Sequence, residues 1–126
     1  MDGTPLEARY SLTPELRRLV AEHRSGGPLA REFYVAPEVF DADLARIFHR
    51  HWIFAGYAFQ VPKPGDFFTY RVGAESIVVV RDRSGEIRAF HNVCPHRGRQ
   101  LISVPDGVHS VRGNGRKNFV CGFHGW

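Results

Sequence analysis

Cysteine is scarce in this chain, with two in 126 residues, too few for a disulfide scaffold. No stretch approaches the roughly 18 consecutive apolar residues that a membrane-spanning helix needs. The opening run MDGTPLEARYSLTPELRRLV lacks the apolar centre of an export signal, so Arg17-Arg18 does not read as one. Blocks of like charge are missing too, because the net charge of +4 comes mostly from arginines scattered along the chain. Internal repeats and low-complexity segments are not evident. Together these absences argue against nucleic acid and against a membrane, favour an acidic protein partner weakly, and fit a reducing, cytoplasmic setting.

What is present is a moderately apolar chain, 43% hydrophobic and 13% aromatic, enough for one modest core. Thr13 before Pro14 and Glu15 predicts an N-cap with proline at the first helical position. Leu16, Leu19, Val20 and His23 then recur at helical spacing, and Ser25-Gly26-Gly27-Pro28 ends the run. A second helix is expected from Pro37 to about Arg50, with Phe40, Leu44, Ile47, Phe48 and His51 on one face. Residues 1–51 are thus expected to form an N-terminal helical arm, and 52–126 a β domain.

From Trp52 the pattern changes to short β-rich runs between Pro/Gly turns. WIFAGYAF (52–59) is a strand candidate, as are Phe67 to Val72, Ser76 to Arg81 with its IVVV run, and Ile87 to Asn92 after the turn Asp82-Arg83-Ser84-Gly85. An antiparallel meander follows. The polar stretch 106–117 is rich in breakers and reads as a surface excursion, with a small hairpin turning at Asn114-Gly115. Phe119 to Cys121 is expected to return as a strand.

Both cysteines sit beside a histidine at metal-ligand spacing: Cys94-Pro95-His96 and Cys121-Gly122-Phe123-His124, with 24 residues between His96 and Cys121. Two thiolates and two imidazoles suit a [2Fe–2S] cluster in which cysteines hold one iron and histidines the other. Exchanging two anionic thiolates for neutral imidazoles lowers the negative charge at that iron and raises the reduction potential. The same four residues could instead make a closed structural zinc site. Pro95 stiffens the first loop, and Gly98, Gly122 and Gly125 are expected to let both loops bend and turn backbone N–H groups toward sulfur. Arg97 and Arg99 could dock an acidic electron donor or pack over the loops. Trp126 could shield the cluster or simply belong to the core, since both bury the ring.

The run from Phe48 to Trp126, above all NVCPHRG (92–98) and His124-Gly125-Trp126, resembles the N-terminal Rieske domain of aromatic-ring-hydroxylating oxygenase large (alpha) subunits, and the likeness extends weakly back to about Glu32. The resemblance implies a mainly β fold with N-terminal helices, an antiparallel Rieske-type iron–sulfur fold incomplete at its C-terminus. It implies Cys94, His96, Cys121 and His124 as ligands, with Pro95, Arg97, Gly98, Gly122, Gly125 and Trp126 supporting the loops. Electrons would come from NAD(P)H through a reductase or ferredoxin, and pass to a mononuclear Fe(II) in a catalytic domain that this chain does not contain. Assembly as a homotrimer or an α3β3 oligomer is implied for the whole protein, with no catalytic residue in this chain. Two departures from the family stand out: a longer interval between the ligand pairs, falling in 106–117, and Phe123 where tyrosine is frequent. A stand-alone Rieske ferredoxin is a competing reading, against which the long arm counts.

Overall fold

The computed structural model describes residues 12–115 and 118–126, which divide into two compact units, with the boundary between Ile53 and Phe54. No helix among the described residues is long and apolar enough to cross a membrane.

The first unit is helical. Helix α1 (Pro14–Glu22) starts as its sequence predicts: Thr13 Oγ1 accepts from the Leu16 N–H at 3.2 Å, Pro14 occupies the first turn, and Leu16 is buried. A short helix, α2 (Glu32–Val35), precedes α3 (Pro37–Asp43). Ala36 between them is extended at ψ 128°, because the ring of Pro37 disfavours helical backbone in the residue before it. The predicted second helix does begin at Pro37, but its regular part stops at Asp43. From Leu44 to Phe48 the ladder widens, with the His49 N–H donating to the Leu44 carbonyl at 2.9 Å, a five-residue closure.

The second unit is built on a four-stranded antiparallel sheet. Strands β1 (Asp66–Val72), β2 (Glu75–Arg81) and β3 (Ile87–His91) form the expected meander, and β4 (Arg112–Asn114) joins the free edge of β1, giving the order β3-β2-β1-β4. Gly73 at φ +57° turns β1 into β2, pairing Val72 with Glu75. In the β2–β3 turn, Asp82 Oδ1 accepts from the N–H groups of Ser84 and Glu86, while Gly85 takes φ +90°. Asp82 Oδ2 also accepts from Arg88 Nε, and that bond first, then the Ser84 bond, holds the carboxyl well below the usual carboxylate range.

The core is small. Val61, Phe68 and Val79 are buried together, with Tyr70 and Ile77 packed against them. The Arg81 guanidinium ties the segment before β1 to this sheet by donating to the carbonyls of Val61 (2.6 Å), Gly85 (2.6 Å) and Ala58 (3.3 Å).

Three strand expectations are corrected. Residues 52–59 form no strand. Ala58–Gln60 is a single 3-10 turn closed by Gln60 Oε1 accepting from the Tyr57 N–H at 2.7 Å, and the rings of Phe54, Tyr57 and Phe59 pack on one another instead of on a neighbouring strand. Phe119 to Cys121 is likewise not a strand: its backbone joins no ladder, although the Phe119 ring meets Phe67 edge-on at 5.4 Å. The excursion 106–117 does not form its own hairpin over the described residues, since its end pairs with β1. There Gly113 lies opposite Phe67, and a Cβ on it would stand 2.9 Å from that ring, so the absence of a side chain permits the pairing. Thr69, buried in β1, secures the excursion by donating its N–H to the Val111 carbonyl and accepting the Val111 N–H on Oγ1, both at 2.8 Å.

Candidate metal centre

The two Cys/His motifs become loops that close in the same way. In loop 1 the Cys94 carbonyl accepts from the Gly98 N–H at 2.9 Å, and the Cys94 N–H donates to the Arg99 carbonyl at 2.7 Å. In loop 2 the Cys121 carbonyl accepts from Gly125 at 2.9 Å, and the Cys121 N–H donates to Trp126 at 2.5 Å. Cysteine thus occupies the first position of each loop and glycine the fifth, at φ +71° for Gly98 and +76° for Gly125, where a side chain would be strained. Gly122 is different: its φ is not positive and a Cβ there would meet open space, so the expectation that it is needed for bending is corrected.

Loop 1 is anchored by Asn92, which is 3% exposed. Its Nδ2 donates to the Ile102 carbonyl at 2.8 Å and to Ser76 Oγ at 3.1 Å, and its Oδ1 accepts from the Ile102 N–H at 2.8 Å. The residues that enter and leave loop 1 are therefore pinned to each other and to β2. Asn92 belongs to the motif that carried the resemblance, but no local pattern in the sequence marks it as a clamp. A lone asparagine between a strand end and a ligand cysteine is the available signal.

Within this frame the donor groups come together in like pairs. Cys94 and Cys121 are both buried, and Cys94 stands close enough to Cys121 to favour its thiolate. The Cys121 thiol is held below its ordinary value, first by the backbone N–H of Phe123, against burial, then by Cys94, the His124 N–H and the charge of Arg99. The backbone N–H groups of Phe123 and His124 thus favour the charged form of Cys121. The imidazoles of His96 and His124 lie on the exposed side, with their Nδ1 atoms 3.2 Å apart.

That distance has a physical reading. A first-row metal takes imidazole nitrogens at about 2.0–2.1 Å, so two of them at tetrahedral positions lie about 3.3 Å apart. The histidines thus stand at the spacing of two ligands on one metal through Nδ1, which leaves both Nε2 atoms free to hold a proton. Among the described residues no three His, Cys, Asp or Glu side chains converge on a single point. The donors form two adjacent pairs, the division a dinuclear centre uses. This donor set fits a [2Fe–2S] cluster with one iron at the thiolates and the other at the imidazoles.

Aromatic rings surround the histidines. The Trp126 indole stacks on His96 with centroids 4.8 Å apart and planes within 8°, while Phe123 meets His124 edge-on at 4.3 Å and carries the Arg99 guanidinium 5.8 Å above its ring. Pro95 and Arg97 are exposed on loop 1. His91 lies outside the site and faces Glu75 at 3.4 Å on the sheet surface. Beside loop 2 a cleft of about 640 Å³ is walled by Val80, Phe90, Phe119, Val120 and Trp126.

Fold and site together define a class: a small antiparallel β domain that presents two thiols and two imidazoles as side-by-side pairs on matched loops. Residues 51–126 match the Rieske [2Fe-2S] domain, and the chain belongs to that family. It is 43% identical over 89 residues to the large oxygenase component of a naphthalene 1,2-dioxygenase system from Pseudomonas putida, covering 71% of this chain and 18% of that protein. Choline monooxygenase of Arabidopsis thaliana is 40% identical over 125 residues, covering 94% of this chain and 28% of its own length. A glycine betaine monooxygenase oxygenase subunit from Pseudomonas aeruginosa is 35% identical over 98% of this chain. Among solved structures, naphthalene 1,2-dioxygenase from Rhodococcus sp. superposes with a TM-score of 0.76 at 31% identity, over 92% of this chain and 26% of that one. A quaternary ammonium Rieske monooxygenase gives 0.64 at 34% identity, over 75% and 25%. The chain spans between about a fifth and just over a quarter of the curated relatives it matches.

Proposed function

We propose that this chain holds a [2Fe–2S] cluster, with Cys94 and Cys121 at one iron and His96 and His124 at the other, and serves as the electron relay of a Rieske non-haem iron oxygenase large subunit. Residues 1–51 are then its helical arm and 52–126 its cluster domain. The observation that carries the reading is the pairing of the imidazoles, nitrogen with nitrogen at 3.2 Å, beside two buried cysteines that open the matched loops.

When bound, such a cluster accepts and releases one electron at a potential of about −150 to +300 mV, well above that of an all-cysteine plant-type centre. The protein's own contribution is to bury both cysteines and to set the backbone N–H groups of Phe123 and His124 so that they favour the Cys121 thiolate. It also keeps the imidazoles at the surface, where each Nε2 can hold or release a proton as the charge nearby changes. Arg97 and Arg99 beside the exposed histidines suit an acidic reductase or ferredoxin as donor. The receiving site would be a mononuclear Fe(II) elsewhere in the oxygenase, in a trimeric or α3β3 assembly. Two free thiols suit a reducing cytoplasm.

Loading tests the reading: anaerobic incubation with iron and sulfide is expected to give two irons and two sulfides per chain and a coloured protein. A colourless chain that binds one zinc would contradict it. The substrate proposed by resemblance is an aromatic ring. A quaternary ammonium compound is the second substrate class the relatives supply, and coverage ranks neither above the other: the choline and glycine betaine monooxygenases align over more of the sequence than the Pseudomonas putida naphthalene component (94% and 98% against 71%), while the Rhodococcus naphthalene dioxygenase superposes over more of the chain than the quaternary ammonium monooxygenase (92% against 75%). Oxygen uptake by the reduced oxygenase carrying this domain, with naphthalene against glycine betaine, separates the two.

A further inference from the structure

Loop 2 supplies more than its own ligands. Its last residue, Trp126, lies in the shared closure of the two loops, where the Cys121 N–H donates to its carbonyl at 2.5 Å. Its side chain does not fold back on loop 2 but lies flat on His96 of loop 1, at 4.8 Å and 8°. Phe123, also of loop 2, meets its own neighbour His124 edge-on at 61° and lies under the Arg99 guanidinium of loop 1, but touches no imidazole of the other loop. The two imidazoles are therefore held by different devices, and the stacked one bridges the loops.

The bridge answers a mechanical need. An exposed imidazole turns about its Cβ–Cγ bond, and that rotation decides where Nδ1 points. Contact with His124 selects which nitrogen faces inward, since the two Nδ1 atoms meet at 3.2 Å. It does not fix the plane of the His96 ring, because a donor–acceptor contact tolerates a range of tilts. A flat ring lying parallel removes that freedom. The indole also forms part of the wall of the 640 Å³ cleft, so its other face borders that cleft while this one meets His96.

We infer that Trp126 is a positioning residue for His96: the indole delivered by loop 2 sets the plane of the loop 1 imidazole and braces the two halves of the donor set against each other. The inference rests on the proposed function only for what it implies about a bound cluster. The stacking is a property of the metal-free chain.

The experiment has two arms. In the metal-free chain, proton–carbon NMR of the histidine rings reports the indole directly, because a stacked aromatic face shifts the imidazole CH protons upfield. Trp126→Leu is expected to return the His96 signals most of the way to free-imidazole values while leaving those of His124 near their original positions. Trp126→Phe retains part of the shift. His96 signals indifferent to both substitutions would overturn the inference. Should Trp126→Leu not fold, Trp126→Phe decides by itself, since the smaller ring must give an intermediate shift and an unchanged one refutes the stack. In the cluster-loaded chain, pulsed EPR of the reduced state is expected to show one imidazole nitrogen coupling altered in Trp126→Leu, the other kept, and both restored in Trp126→Phe. Two unaltered couplings in Trp126→Leu would overturn the positioning role. A wild-type chain that takes up no cluster would sink the proposed function and leave the NMR arm to judge Trp126.

Discussion

Removing the Asn92 side chain should loosen loop 1 and destabilise the fold by about 2–4 kcal/mol. Asn92→Ala deletes three hydrogen bonds, two with the backbone of Ile102 and one with Ser76 Oγ. Each is worth about 0.5–1.5 kcal/mol net. The lost bonds leave the Ile102 N–H and carbonyl without their partner, but Ile102 is only half-buried, so water relieves part of the penalty. With a urea slope of about 2 kcal/mol/M for a chain of this size, the unfolding midpoint should fall by about 1–2 M. Amide exchange of the metal-free variant should quicken first at Ile102 and through loop 1, while the β1–β2 ladder keeps its rank as the slowest region. Asn92→Asp should not rescue, because it removes the Nδ2 donor and places a carboxylate where the residue is 3% exposed. A midpoint within 0.2 M of wild type for Asn92→Ala would refute the clamp.

The loop closures predict a contrast between neighbouring glycines. Gly125→Ala, at φ +76°, should cost about 1–2 kcal/mol and reduce cluster retention, whereas Gly122→Ala, with open space and ordinary φ, should stay within about 0.5 kcal/mol; equal effects in parallel urea titrations would argue against matched loops. Asp82 titrates well below an ordinary carboxylate because Arg88 and Ser84 hydrogen-bond its ionised form. A depressed folded-state value means that its stabilisation is complete above the unfolded value of about 3.9 and is lost as pH falls below that toward the folded value. Wild type and Asp82→Asn should therefore differ in urea midpoint at neutral pH and converge in strong acid, and a difference that grows on acidification would contradict the assignment.

The readable parts of the sequence were those governed by nearest neighbours. Thr13 and Pro14 fix the start of α1, and the Asp82–Gly85 turn fixes the β2–β3 hairpin, because cap and turn chemistry act within a few residues. The four donors were legible for the same reason, as two short spacings. Residues 52–59 misled because aromatic enrichment suits a strand only where a neighbouring strand supplies the ladder, and these rings found partners within their own segment. Strand β4 was hidden in a polar stretch, since Arg112-Gly113-Asn114 is recruited by the edge of β1 and by contacts such as Asn114 Nδ2 to Asp66 Oδ1 at 2.7 Å, some fifty residues away. The likeness of the two loops was masked by histidine falling at the third position of one and the fourth of the other.

The central claim is that two imidazoles and two thiolates share one dinuclear cluster. Pulsed EPR of the reduced, reconstituted chain, with histidine nitrogen labelled, tests it most directly. Two directly coordinated imidazole nitrogens are expected, with one of them lost in His96→Ala and the other in His124→Ala. A reduced cluster with no histidine nitrogen coupling would contradict the account.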